Sequence, residues 1–205
     1  MYPEVAFVDA TVLYTRSTRD WLLHIRNASN RGMYVIATSL DVIVEALNWV
    51  RNDHPTRPGI STTQLMDGLR STLDMVDEFD AGIPFPGTDE GDRHVHAAAV
   101  ACGAGFLVTD DGGFARMSSD ETPYEVITAD EFFVLVDDSH PHVVAEATRN
   151  QLQYWAQKGE KAELVERLAA AGCPEFAKRV ESHIGVQAGV LTRRQRRRTL
   201  NPGDY

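Results

Sequence analysis

Residues 92–114 read DRHVHAAAVACGAGFLVTDDGGF: an acid, an alanine-rich stretch, a glycine stop, a short apolar run and two adjacent acids. Alanine favours helix, and glycine just past the last helical residue ends one. The run FLVT at 106–109 has the length and β-formers of a buried strand. A helix that hands over directly to such a strand belongs to a parallel sheet, whose neighbouring strands must be joined by crossovers.

Working outward, the same alternation recurs. EVAFV at 4–8 reads as a buried strand, a helix is expected from about Thr18 to Ser29 with Trp21, Leu22, Ile25 and Ala28 on one face, and MYVIA at 33–37 is a second strand. Ser39 is placed to cap the following helix, LDVIVEALNWV, which is apolar nearly all round and is expected to pack on several sides. A loop is expected from Asn52 to Ser61, a second helix pair over 62–77, and a loop from Gly82 to Gly91. YEVIT at 124–128 is the fourth strand. Beyond Asp130 the pattern is helical only, over Val143–Ala156, Lys161–Ala171 and Pro174–Gly185. The fold class is therefore α/β, a three-layer arrangement around a central parallel sheet with an all-helical C-terminal extension.

The chain has 205 residues, 43% hydrophobic and 24% charged, enough for one α/β body with a real core. Two cysteines, Cys102 and Cys173, make no secreted disulfide framework, and MYPEVAFVDA lacks the features of a signal peptide, so a reducing cytoplasm is expected. The longest strongly apolar run, AAAVAC at 97–102, is far short of the roughly 20 residues that span a bilayer. No membrane partner is expected. The net charge of −10 hides an asymmetry: Arg193, Arg194, Arg196, Arg197 and Arg198 crowd a basic tail, so the body is more acidic still. Such a body grips a polyanion only through local arginines, metal ions or that tail. Arg16, Arg19, Arg51, Arg57, Arg93 and Arg116 are the local candidates.

The acids carry the chemistry. Asp9 ends the first strand, Glu45 lies inside the apolar helix, Asp92 opens a helix, and Asp110 and Asp111 follow the third strand. In an open parallel sheet, ligands gather at the carboxyl ends of the strands. That rule brings Asp9 and the Asp110/Asp111 pair to one edge, with Asp92 facing it and Glu45 leaning in from the side. Crowded carboxylates bind protons more tightly unless a cation neutralises them, and oxygen-only donors suit Mg²⁺ or Mn²⁺. Such an ion activates water against a phosphodiester, so no nucleophilic side chain is required. Thr11 and Thr109 stand ready to hydrogen-bond the carboxylates or the water. Each acid also has an ordinary reading: Asp92 could cap its helix and Asp111 could serve its turn. Asp41, one turn before Glu45, is the solvent-facing neighbour.

With those residues in view, FVDATVLY at 7–14, the helix acid at 45 and the stretch 92–114 resemble a PIN domain of the VapC-like bacterial toxin kind, over roughly residues 4–135. The resemblance implies a metal-dependent ribonuclease acting on RNA, with its acidic quartet matched by Asp9, Glu45, Asp92 and Asp111. Asp111 falls two after Thr109, where the family's T-x-D/N pattern places its fourth acid, and Asp110 could share that duty as a metal ligand. The family often has Asn two residues after the first acid; this chain has Thr11. The resemblance also implies a cognate antitoxin protein and pairing into a homodimer. It divides the chain into a nuclease domain at 1–136, a helical extension at 137–192 and a basic tail at 193–205. AGCPEFAKRV at 171–180 is similar to a longer subgroup with such an extension. Two rival readings remain, a PIN scaffold without catalysis that serves as a binding module and a nuclease directed at DNA.

Other signals carry less. Haloacid-dehalogenase phosphatases also open on an Asp after an apolar strand, but they need a second Asp and rely on a lysine. Here the lysines, Lys158, Lys161 and Lys178, all lie in the helical part. His94 and His96, two apart on a helix, point about 200° apart and cannot share a metal, so both are expected to be surface or packed histidines, as are His140 and His142. Cys102 reads as a small core residue, and no phosphate-binding glycine loop is present.

Overall fold

The computed structural model describes residues 3–29, 32–114, 117, 120–159 and 162–186. Five strands form one sheet in the order β3-β2-β1-β4-β5, every neighbouring pair parallel. They are β1 (Glu4–Val8), β2 (Tyr34–Thr38), β3 (Asp74–Met75), β4 (Phe106–Val108) and β5 (Glu125–Ile127). β1 is central, and its Ala6, Phe7 and Val8 are wholly buried because a parallel strand is covered on both faces. The chain first adds strands on one side of β1 and then crosses to the other. With right-handed crossovers this puts helices on both faces and creates a switch point between β1 and β4.

The connecting helices are α1 (Ala10–Tyr14), α2 (Arg16–Ala28), α3 (Leu40–Asp53), α4 (Gly59–Thr72) and α5 (Arg93–Ala101), the last preceded by a 3-10 turn over Glu90–Asp92. Ser39 caps α3 by accepting from the Val42 amide. α5 stops where Gly103 takes φ +64°, the left-handed conformation that glycine adopts without a Cβ clash.

Three expectations change. The stretch 62–77 is one helix, α4, followed by β3, whose two residues pair with Ala37 and Thr38. Two residues carry no periodic signal, and only the waiting edge of β2 makes them a strand. The loop is also shorter than expected, since α3 runs to Asp53 and α4 begins at Gly59. Finally, α3 is not packed all round: Leu40 and Val44 are 42% and 53% exposed, because α1 and α4 cover only part of its circumference.

The helical part comprises α6 (Ala129–Ser139), α7 (Pro141–Gln157), α8 (Leu164–Ala170) and a final helix over 174–186. It shares the core of the sheet domain. Phe176 of the final helix lies 5.0 Å from the Trp21 ring of α2 and 4.9 Å from Phe133 of α6. Asp130 accepts from the Glu175 and Phe176 amides, so α6 also caps the final helix. The boundary drawn after residue 136 falls within α6. The arginine-rich tail, 193–205, lies outside the described residues. Among the described residues no helix is long and apolar enough to cross a membrane.

α6 opens with a capping box in which Thr128 accepts from the Glu131 amide while the Glu131 carboxylate accepts from the Thr128 amide. Thr128→Ala removes one half of that exchange. It is expected to cost about 1 kcal/mol in urea unfolding; a variant as stable as the parent would show that the box contributes nothing.

Candidate metal centre

Asp9 leaves β1 with its amide donating to the Val108 carbonyl at 3.1 Å, which places it at the carboxyl edge between β1 and β4. Its side chain is buried, and Oδ2 accepts from the Thr11 hydroxyl at 2.9 Å and the Thr109 hydroxyl at 2.7 Å. Each hydroxyl in turn accepts a backbone amide, Thr11 from Asp110 at 3.1 Å and Thr109 from Asp111 at 3.0 Å. A hydroxyl has a single proton to give, and both give it to Asp9. The two threonines thus lock the first acid to the loop that carries the last.

Asp92 begins α5 yet makes no side-chain cap hydrogen bond, so the capping role open to it in the sequence is not taken up. Its carboxyl is pushed up to about 6, by burial first and then by Asp111, Asp89, Asp9 and Glu45. Glu45 is raised as well, by burial and then by Asp9, with His94 acting against it and Asp111 adding to it. Asp111 accepts from the Gly113 amide at 2.5 Å, the Asx turn expected of it, and still faces Asp92. A Cβ on Gly113 would stand 2.8 Å from Asp111 Oδ1 and 3.3 Å from Asp92 Oδ2, so that glycine leaves room for both carboxylates.

Asp9, Glu45, Asp92 and Asp111 therefore act on one another electrostatically. Asp110 stands beside them, and its Oδ1 accepts from the Ala129 amide at 3.0 Å, at the start of α6. Burial raises its carboxyl, and Asp9 adds to that. Among the described residues no three His, Cys, Asp or Glu side chains are close enough to hold one ion as they stand. The donors that these acids offer are all oxygens, the set that suits a hard divalent cation.

One residue expected to be a surface or packed histidine lies beside Glu45. His94 stands in the first turn of α5 with Nε2 3.7 Å from Glu45 Oε2, while His96 turns the other way to meet the Tyr124 hydroxyl. The available signal was its position two residues after Asp92, which keeps it in the helix turn that faces the acids. Two of the candidate arginines are spent on the fold. Arg19 and Arg51 donate to the backbone carbonyls of Leu13, Tyr14 and Arg57 and so brace loops, Arg16 and Arg93 pair with Asp20 and Glu90, and Arg116 lies outside the described residues. Two open cavities share Asp110: one of about 440 Å³ with Asp111 and Thr109 in its wall, and one of about 790 Å³ with Thr11 and Trp49.

The helices beyond the site are the part that comparison with known proteins reaches. Residues 129–182 match the family described as the VapC50 C-terminal domain. That span starts at the first residue of α6 and ends within the final helix. No curated protein matches the chain.

The raised carboxyls have a consequence for stability without metal. A folded-state pKa above the unfolded value means that the native protein binds the proton more tightly, so this contribution is present at low pH and is lost as pH rises through about 6. Asp92→Asn removes the penalty. The variant is expected to gain on the parent by roughly 1 kcal/mol between about pH 4.5 and about pH 7, after discounting for solvent screening. Thermal melts in chelator would show it; a constant difference across that window would rule it out.

Proposed function

We propose that this chain is a divalent-metal-dependent endoribonuclease, the toxin of a toxin-antitoxin pair. The observation that supports the reading is the electrostatic coupling among Asp9, Glu45, Asp92 and Asp111 beside the switch point, with Asp92 pushed up to about 6 by burial and by its neighbours. The match of the helical part to a VapC-type domain supports the toxin setting. Asp9, Asp92 and Asp111 would hold Mg²⁺ or Mn²⁺, with Glu45 closing the site from α3. The bound ion would supply an activated water and positive charge for the phosphate oxygens. Thr11 and Thr109 keep Asp9 oriented, and Gly113 keeps space for Asp92 and Asp111. The division into a nuclease body and a helical extension belongs to the same proposal, as does a cytoplasmic setting. So do two protein partners, an antitoxin and a second copy of the chain. Exposed Leu40, Val44 and Ile60 on α3 and α4 are the apolar surface that pairing could cover.

Side-by-side digestion of single-stranded RNA and DNA, with Mg²⁺ or Mn²⁺ and with chelator, tests this. RNA shortened only in the presence of metal is the expected result. Cleavage of DNA alone would favour the DNA-directed reading, and no cleavage of either would leave the docking-module reading.

A further inference from the structure

We propose that His94 is a metal ligand of this site, its Nε2 joining Glu45 around a divalent cation. The inference rests on the metal-centre reading above and extends it from oxygen donors to one nitrogen. Nδ1 of His94 lies 2.7 Å from the Gly91 carbonyl, which can only accept, so Nδ1 carries the hydrogen. The ring is thereby fixed with Nε2 on the side of Glu45. That nitrogen is buried and has no hydrogen-bond partner. Buried polar atoms are rarely left so, and a bound ion is one of the standard ways in which they are satisfied.

The spacing points the same way. At 3.7 Å, Nε2 and Glu45 Oε2 are too far apart for a hydrogen bond. Two donors each about 2.1 Å from one ion stand roughly 3.0–3.7 Å apart for bond angles of about 90–120°. A histidine whose second ring nitrogen donates to a backbone carbonyl is the usual arrangement for an imidazole that binds metal. The carbonyl of Gly91 belongs to the same 3-10 turn that presents Asp92, so one turn would set both donors. Imidazole nitrogen suits first-row transition ions, whereas Mg²⁺ prefers oxygen, so this donor would bias the site away from Mg²⁺, and paramagnetic Mn²⁺ serves as the probe.

Electron spin-echo spectroscopy of the full, tag-free chain loaded with Mn²⁺ tests the proposal directly. The expected result is a nitrogen modulation from a bound imidazole that changes on ¹⁵N-histidine labelling and is lost in His94→Gln. Mn²⁺ affinity by calorimetry should fall about tenfold or more in that variant, with Mg²⁺ affinity less affected. Bound Mn²⁺ without nitrogen modulation in the parent would overturn the histidine ligand and leave the acid site standing, as would a modulation that survives in His94→Gln. Failure of the parent chain to bind Mn²⁺ at all would overturn both.

Discussion

Asp9→Asn is expected to abolish metal-dependent RNA cleavage, with a fall of roughly 10³-fold or more, because it removes a charge from the cation site while leaving the shape of the residue intact. Asparagine keeps a side-chain oxygen where Asp9 Oδ2 now accepts from Thr11 and Thr109, so the bracket between β1 and the loop after β4 should survive. The variant should therefore unfold cooperatively and no earlier than the parent, and without metal it should be slightly more stable, since one member of a mutually repelling group has lost its charge. The measurement is a cleavage rate on single-stranded RNA at saturating Mn²⁺, read beside a thermal melt. A folded Asp9→Asn protein that cuts at the parental rate would falsify the metal-site assignment.

The largest effect on stability is expected from Phe176→Ala, at about 3–5 kcal/mol. Phe176 is fully buried between Trp21 and Phe133, edge-on to the first ring and tilted against the second, so its removal leaves a cavity and ends both aromatic contacts. The final helix has no other large ring seated in the sheet domain at this point. Chemical denaturation should show the loss as a single earlier transition, because the extension and the sheet share one core. Two separate transitions, or a cost below about 1 kcal/mol, would mean that the C-terminal helices fold as an independent unit.

Where several of the acids stand in the fold could be read before folding, and particular residues show why. Asp9 and Asp111 announce themselves because a short apolar run with β-formers must be a buried strand, and the residue after it must lie at the sheet's carboxyl edge. Ser39 and Gly103 were legible for the same local reason, since caps and stops depend on the backbone of a few neighbouring residues. Asp110 and Asp111 could not be told apart in that way. Adjacent side chains leave a turn in different directions, and only the arrival of α6 decided that Asp110 would bind the Ala129 amide.

The neighbour of His94 in space, Glu45, was not legible, because pattern reasoning compares a histidine with its neighbours in sequence, here His96. Arg19 and Arg51 were misjudged because a guanidinium spent on carbonyl oxygens looks the same in one dimension as one free to meet phosphate. What the chain's order of residues settled alone is the class of the fold, the parallel strands and the sheet edge at which Asp9 and Asp111 stand, because periodicity and capping act over a few residues. What only the tertiary structure decided is β3, the partner of His94, the direction of Asp110 and the seat of Phe176, because each is a contact between distant segments that forms only once the sheet has set their positions.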